Sequence, residues 1–510
     1  MPETLLIGLA SVLVLGVGAQ WLAWRLRIPS ILLLLLFGFL AGPVTGFLDP
    51  DALAGDLLFP FVSLSVGIIL FEGGLSLRLS EFRAVGRIVV NLITVGVLIT
   101  LLLATAAAYV LLEWDLSMAI VLGAILTVTG PTVVIPLLRH IRPKGRVGAI
   151  AKWEGITVDP IGAILALLVL EVVVLLHEPA GSVEGAVGHL AIGLVKELII
   201  GLGTAVFGAG LLVLMLRQRL IPDYLQNSVA FMVVVGTFAL SSTLQEESGL
   251  LATTLMGIFM ANQNYVSVKR LTEFKEDIGV LLIATLFILL SARLDLSDVQ
   301  YVNTGSLLFL IVLMVVVRPL AVLVSSYNTR TTRRERAFLA WLAPRGIVAA
   351  AVASLFGFRL EEFFPVEAPA LAPMVFFVIV GTVTIYGLTA GPLARRLGLS
   401  MPNPQGVVFV GAHRWAVRLG EALKALGVDV LLLDTNREHI DAAEAAGLRA
   451  MQENVLNESL EDAVSLSGMG YMLALTPNDE VNTLAALHFT EVLGSNHIFQ
   501  LPTERELQTD

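Results

Sequence analysis

Cysteine is absent from all 510 residues, which excludes disulfides, a thiolate metal site and a cysteine nucleophile. Charge is scarce too: 15% of the residues are Asp, Glu, Lys or Arg, while 56% are hydrophobic. Soluble domains carry about 25% charged and about 45–50% apolar residues, so this balance excludes a body solvated on all sides and points to a bilayer. Met1 to Glu3 lacks a basic stretch ahead of the first apolar run, so no cleaved signal peptide is expected. The charge is also uneven. From Asn403 onward there are 6 Lys+Arg against 16 Asp+Glu, and the preceding residues carry 26 of each. A neutral hydrophobic domain over 1–400 and an acidic soluble domain over 401–510 follow, with no nucleic-acid partner expected.

A helix needs roughly 20 mostly apolar residues to cross a membrane. About thirteen stretches satisfy this or nearly do: 5–24, 28–47, 57–77, 88–112, 117–138, 147–176, 190–216, 226–243, 249–264, 278–294, 305–326, 336–357 and 370–394. The connections support the count. Alternate ones hold Arg25/Arg27, Arg78/Arg83/Arg87, Arg139/Arg142/Lys144/Arg146, Arg217/Arg219, Lys269/Arg270/Lys275 and Arg330/Arg333/Arg334/Arg336. Those between read DPDALAGD, EWD, HEPAGSVEG, QEES, DLSDVQ and EEFFPVE, almost without basic residues. Lys and Arg mark cytoplasmic loops, so the expected orientation in the inner (plasma) membrane puts the N-terminus outside and the tail after Arg395/Arg396 in the cytoplasm.

Ionisable groups inside spans are costly and usually line a pathway or pair with one another. Glu72, Glu154, Asp159, Arg318 and Arg345 fit that description. Glu171 and Glu197 also sit in apolar runs, but nearer expected helix ends, where they could reach water. The sixth segment reads Trp153-Glu154-Gly155-Ile156-Thr157-Val158-Asp159-Pro160. Five residues on an α-helix is a turn of about 140°, so the two carboxylates face different neighbours. One can pair with an arginine while the other stays open to an aqueous funnel. Removing a carboxylate from water favours its neutral form, which suits a group that takes up and releases protons.

Two segments are interrupted, the fifth at Thr127-Val128-Thr129-Gly130-Pro131-Thr132 and the twelfth at Ala343-Pro344-Arg345-Gly346. Broken helices in corresponding halves point to a transporter's binding site. Their freed carbonyls must be met by ions, water or side chains, and Arg345 could compensate helix C-terminal dipoles there.

These features resemble the monovalent cation/proton antiporter superfamily, especially its sodium/proton exchanger branch. The resemblance covers about residues 5–396 and rests on five features: Phe71-Glu72-Gly73-Gly74-Leu75, the Thr129-Gly130-Pro131 break, Glu154 with Asp159, Arg318, and Pro344-Arg345-Gly346. It implies an α-helical polytopic membrane protein of thirteen helices in two inverted repeats of six, with a dimerisation domain and a mobile core domain. Asp159 would then bind cation and proton alternately, and Glu154 would pair with an arginine, most simply Arg318. Thr129 would offer its carbonyl to the ion, with Glu72 near the same site. The family's break usually reads Thr-Asp-Pro, and its site often reads Glu-Ser…Asn-Asp. Here Gly130, Gly155 and Val158 stand at the departing positions, which opens the choice between Na⁺ and K⁺. Thr132, Thr157 or water could fill in as ligands.

The tail alternates short apolar strands with amphipathic helices after a short linker, MPNPQ. Over about 406–501 it resembles the nucleotide-binding half of a potassium-transport regulator, the RCK or TrkA-N domain, a Rossmann-like α/β fold. Gly411-Ala412-His413-Arg414-Trp415-Ala416 keeps only the first glycine of a dinucleotide fingerprint. Asp434 closes the next strand, where an acid usually binds ribose hydroxyls, and Thr476 follows a later strand. The resemblance implies a regulatory nucleotide, NAD(H), AMP or ATP; the alternative is a fold kept for dimerisation with an empty cleft.

The expected function is electroneutral Na⁺ or K⁺/proton antiport by a membrane homodimer, with no catalytic cofactor and no enzymatic activity. A glutathione-gated potassium efflux system is the nearest alternative. A potassium channel needs a TVGYG-like filter, which is lacking, and a hydride-transfer enzyme would have no substrate domain.

Overall fold

The computed structural model describes residues 2–26, 28–177, 183–266, 268–400, 405–455 and 468–501. Most of the linker (401–404), part of the HEPAGSVEG connection (178–182) and the chain after 501 lie outside the described residues. Two compact units emerge, Met1–Leu399 and Ser400–Asp510.

The first unit is helical: α1 (Pro2–Leu26), α2 (Ser30–Phe39), α3 (Pro50–Ala54), α4 (Leu58–Leu75), α5 (Leu79–Asn91), α6 (Val97–Leu111), α7 (Leu116–Ile125), α8 (Pro131–Ile141), α9 (Arg146–His177), α10 (Val183–Arg217), α11 (Gln226–Leu244), α12 (Ser248–Asn262), α13 (Lys269–Ala292), α14 (Thr304–Val312), α15 (Arg318–Ser325), α16 (Arg333–Trp341), α17 (Ile347–Leu360) and α18 (Ala368–Arg396). Among the described residues, eight helical stretches are long and apolar enough to cross a membrane, and five shorter apolar helices occupy 30–44, 116–125, 248–262, 278–292 and 347–360. Several boundaries differ from the sequence reading. Arg83 and Arg87 lie on α5, Lys269, Arg270 and Lys275 on α13, and Arg333, Arg334 and Arg336 on the first turn of α16, rather than in loops. In α16 a capping box holds the early start, with Glu335 N–H donating to the Thr332 hydroxyl and Thr332 N–H to the Glu335 carboxylate.

Much apolar surface faces outward. On α10, Ile192, Val195, Ile199, Val206 and Phe207 are each more than half exposed; so large a patch would be unstable in water and is natural against lipid chains. The two halves echo each other in irregular backbone. π-helical turns at Leu92–Gly96 and Leu313–Val317 join α5 to α6 and α14 to α15. Unwound stretches likewise separate α7 from α8 and α16 from α17. The second π turn ends where Arg318 begins α15.

The second unit holds β1 (Gly406–Val410), α19 (Arg414–Ala425), β2 (Val430–Asp434), α20 (Arg437–Ala445), β3 (Arg449–Gln452), β4 (Met469–Ala474), α21 (Asp479–Leu493) and β5 (Ile498–Gln500). The strands form one parallel sheet in the order β3-β2-β1-β4-β5. The order reverses between β1 and β4, the switch point at which open α/β sheets bind ligands. Val408, Val410, Leu431 and Leu433 are buried on one face of the sheet and Phe409 and Leu432 on the other, as a sheet covered on both sides requires.

Candidate functional site: a buried acid where two broken helices cross

The breaks arise locally. Pro131 cannot donate a backbone hydrogen bond, so α7 ends before it and α8 restarts with Pro131 at its first position and extended Gly130 ahead of it. Gly346 is likewise extended and precedes α17. The breaks meet at these two glycines. A Cβ on Gly346 would stand 2.6 Å from the Gly130 Cα, and one on Gly130 would stand 2.9 Å from the Gly346 Cα. Contacts that short do not exist between real side chains and backbone, so both positions demand glycine.

Helix α9 passes beside this crossing. A Cβ on Gly162 would meet the Val128 side chain at 2.8 Å, and one on Gly155 would meet Val134 at 3.0 Å. Asp159 lies between them on α9 and is fully buried. Neither of its carboxylate oxygens has a hydrogen-bond partner among the described residues, and the Thr129 and Thr132 hydroxyls are buried and unpartnered in the same way. Native proteins rarely leave buried polar groups unsatisfied, so an orphaned acid with two orphaned hydroxyls on the adjoining break marks a place for a polar guest. Thr157 is not part of this set, since its hydroxyl donates to the Trp153 carbonyl within α9 at 2.6 Å.

Glu154 and Arg318 are bound to each other. The guanidinium meets the carboxylate through two hydrogen bonds, the Nη2–Oε2 one at 2.9 Å, and both side chains are buried. Arg318 Nε donates to the Leu339 carbonyl at 2.9 Å, tying the pair to α16. Arg345, also buried, turns its Nη1 toward the Thr127 and Val128 carbonyls at 3.5 and 3.4 Å. These carbonyls lie just past the C-terminal end of α7, where a cation offsets the helix dipole. Tyr386 of α18 is buried within electrostatic reach of both arginines; nothing in the sequence singled it out.

Glu72 lies on α4. Its carboxylate packs on Gly279 of α13, while its neighbour Gly73 faces Ile156 of α9. Glu197 differs from the sequence reading, which put it near water. Helix α10 begins at Val183, so Glu197 lies well inside it and is fully buried, accepting from Gln245 Nε2 at 3.2 Å.

In the second unit, β1 leads into Gly411, whose φ of +106° only glycine adopts readily. Asp434 reaches back under this turn. Its carboxylate accepts from the backbone N–H of Ala412 at 2.8 Å and of Asn436 at 2.9 Å, and meets His439 Nδ1 at 3.0 Å. Burial raises the Asp434 carboxyl, but the Asn436 and Ala412 N–H groups and His439 outweigh it, and the net shift is downward. Desolvation, then the charge of His439, lowers the His413 pKa, against a smaller opposing pull from Asp434. The His413 ring packs edge-on against Trp415. The Thr476 hydroxyl donates to buried Asn482 at 2.7 Å. The glycine turn after β1 and the acid closing β2 thus meet, with the Asp434 carboxylate engaged by Ala412, Asn436 and His439.

Comparison with known proteins agrees with this architecture. The transmembrane sodium/hydrogen exchanger family model matches residues 9–396. The chain belongs to the sodium/hydrogen exchanger family. A TrkA-N domain matches residues 407–505, so this exchanger-family chain carries a nucleotide-binding fold as its second unit. The K(+)/H(+) antiporter NhaP of Alkalimonas amylolytica is 27% identical over 413 residues, 78% of this chain and 68% of the relative. The Na(+)/H(+) antiporter 1 of Methanocaldococcus jannaschii is 26% identical over 374 residues, 69% of this chain and 83% of the relative. The solved structure of the sodium proton antiporter MjNhaP1 from the same organism at pH 8 superposes with a TM-score of 0.65 at 24% identity, covering 77% of this chain and 99% of that one; this is a likeness of fold.

Within the exchanger-family fold, two of the departing residues have a packing role. Gly130 permits the closest approach of the two breaks, and Gly155 lets α9 settle against Val134. Val158 is buried beside Asp159 in the chain and its side chain carries no oxygen.

Proposed function

We propose that this chain exchanges a monovalent cation, Na⁺ or K⁺, for a proton across the membrane, with Asp159 as the group that carries each in turn. The observation that carries this reading is the Asp159 carboxylate itself, fully buried at the crossing of two broken helices with no hydrogen-bond partner among the described residues. A buried charge needs compensation. A bound proton or a bound cation supplies it equally, which makes the two ligands mutually exclusive. The unpartnered Thr129 and Thr132 hydroxyls are the candidate neutral ligands. Glu154 is held by Arg318 and adds no second proton. One acid cycling between proton and monovalent cation gives one-for-one, electroneutral exchange. Alternating access moves Asp159 between the two faces of the membrane, and the second unit lies in the cytoplasm by the distribution of Lys and Arg.

Dye-monitored proton movement in proteoliposomes, with Na⁺, K⁺ and Li⁺ added in turn, tests the reading and identifies the cation. An imposed membrane potential should leave the rate nearly unchanged, and a strong voltage dependence would overturn electroneutrality. The second unit, in this reading, binds a regulatory nucleotide at the Gly411–Trp415 turn, pairs with its counterpart in a homodimer and acts by favouring one transport conformation. Calorimetry on the full-length protein with NADH, NAD, AMP and ATP tests this. Failure of all four leaves the domain as a dimerisation device.

A further inference from the structure

Glu197 is a second buried acid without a salt-bridge partner among the described residues. Its Oε1 accepts from Gln245, and its Oε2 has no hydrogen-bond partner among the described residues. The face of α10 that carries it is closely packed below that point: Gly201 meets Leu251, and the Thr204 hydroxyl donates to Ser241 at 3.0 Å. Gln245 belongs to the three-residue turn between α11 and α12, which also presents Glu246 and Glu247. The charges within reach of Glu197 are Glu247, Glu171 of α9 and Glu246. Arg359 of α17, whose charge reaches Glu247, is bound to Glu246 at 3.2 Å. Glu247 is half-buried, and its charge reaches both Glu197 and Asp159. An apolar cluster of Ile164 and Leu168 from α9 with Leu251 from α12 lies on the same stretch of α9, between Asp159 and Glu171 in the chain.

Glu154 shows what a structural buried acid looks like in this protein: bidentate, with its arginine anchored in turn. Glu197 has the opposite environment, three acids and one amide. Acids so placed in a membrane interior usually mark an ion or proton path.

We propose that Glu197 and Glu247 form a second binding station for the monovalent cation, with the proton as its competitor, on the face that bears the α11–α12 turn. This station exchanges its ion with Asp159 when the Ile164–Leu168–Leu251 layer parts. It rests on the reading of Asp159 as the carrier. An ion arriving from that face is concentrated by the acids and stripped of part of its water before it reaches the buried carboxylate. Desolvation, then Glu246, pushes the Glu247 carboxyl up to about 7 against the pull of Arg359, so near neutral pH this member of the pair is poised to exchange a proton for a cation.

The test uses full-length protein and two readouts. In calorimetric titration with Na⁺ or K⁺, Asp159→Asn protein should retain a weak binding event, suppressed by acid, that disappears in Asp159→Asn/Glu197→Gln. No residual binding, or residual binding indifferent to Glu197→Gln, overturns the station whatever the fate of the antiport reading. In sealed membrane vesicles of both orientations, Glu197→Gln and Glu247→Gln should raise the apparent KM for cation added on the α11–α12 side roughly fivefold, the lower range of coupling between linked sites. The KM from the opposite side and the maximal rate should stay near wild type, and Glu197→Asp should restore the KM. An unchanged KM, or an equal rise on both sides, means Glu197 is a structural carboxyl only. Should Glu197→Gln fail to fold, Glu247→Gln, altered only in the turn, carries both readouts. A wild-type protein that exchanges nothing overturns the carrier reading, which the binding titration does not depend on.

Discussion

Gly130 and Gly346, from opposite halves of the membrane unit, pack backbone against backbone, so close that a methyl group on Gly346 would sit 2.6 Å from the Gly130 Cα. Everything polar at the site is arranged around this contact: Arg345 precedes one glycine, Thr129 and Thr132 flank the other, and Asp159 lies on the helix passing beside them.

Gly346→Ala should therefore push the two breaks apart. Overpacking of this kind costs about 1–3 kcal/mol. Thermal unfolding in detergent should show the loss, accompanied by reduced exchange. Gly203→Ala is the control, since a Cβ there meets nothing within 4 Å; it should be neutral or slightly stabilising.

Asp159→Asn should abolish exchange while leaving the fold intact. The change is nearly isosteric, and the carboxylate makes no hydrogen bond among the described residues that could be lost. A normal rate of cation-dependent proton movement in proteoliposomes of this variant would falsify the role assigned to Asp159.

Arg318→Gln should be among the most destabilising substitutions in the protein. It strands the buried Glu154 carboxylate and frees the Leu339 carbonyl. Breaking a buried pair from one side costs about 3–5 kcal/mol. Glu154→Gln/Arg318→Gln should recover part of that loss in melting experiments; strictly additive losses would show that the two side chains act independently.

Asp434→Ala removes an acceptor shared by the Ala412 and Asn436 N–H groups. Leaving such groups unsatisfied costs about 1–3 kcal/mol each when they are buried. Hydrogen–deuterium exchange of the full-length protein should show faster exchange at residues 411–416 and 434–437, with the membrane helices unaffected. Unchanged protection there would show that other partners take over.

Acidification should loosen the same turn through His413. Its folded pKa is lowered, chiefly by desolvation and the charge of His439, so the folded state prefers the neutral ring. The corresponding stability is fully present above the unfolded value of about 6.5 and is lost as pH falls through the lower, folded value. Exchange rates at 411–416, corrected for intrinsic pH dependence, should rise below that window in wild type, and the rise should be smaller in His413→Gln.

What the sequence determined by itself is whatever depends on residues near one another in the chain. A run of about 20 apolar residues is a span wherever it occurs. Pro131 and Pro344 interrupt helices by removing a donor, and Val407–Val410 followed by Gly411 is a strand and turn because of its own residues. The tertiary structure decided which groups meet. Arg318 and Arg345 were both available to Glu154; the fold gives it Arg318 and turns Arg345 to the carbonyls of Thr127 and Val128. Glu197 looked close to a helix end until α10 proved to begin at Val183. Asp434 carries the spacing of a ribose ligand, yet its carboxylate is already engaged by Ala412, Asn436 and His439. Hydropathy and backbone chemistry act over a few residues, whereas the partner of a buried charge is chosen by packing between helices far apart in the chain, where the cost of leaving a charge unpaired selects a single arrangement.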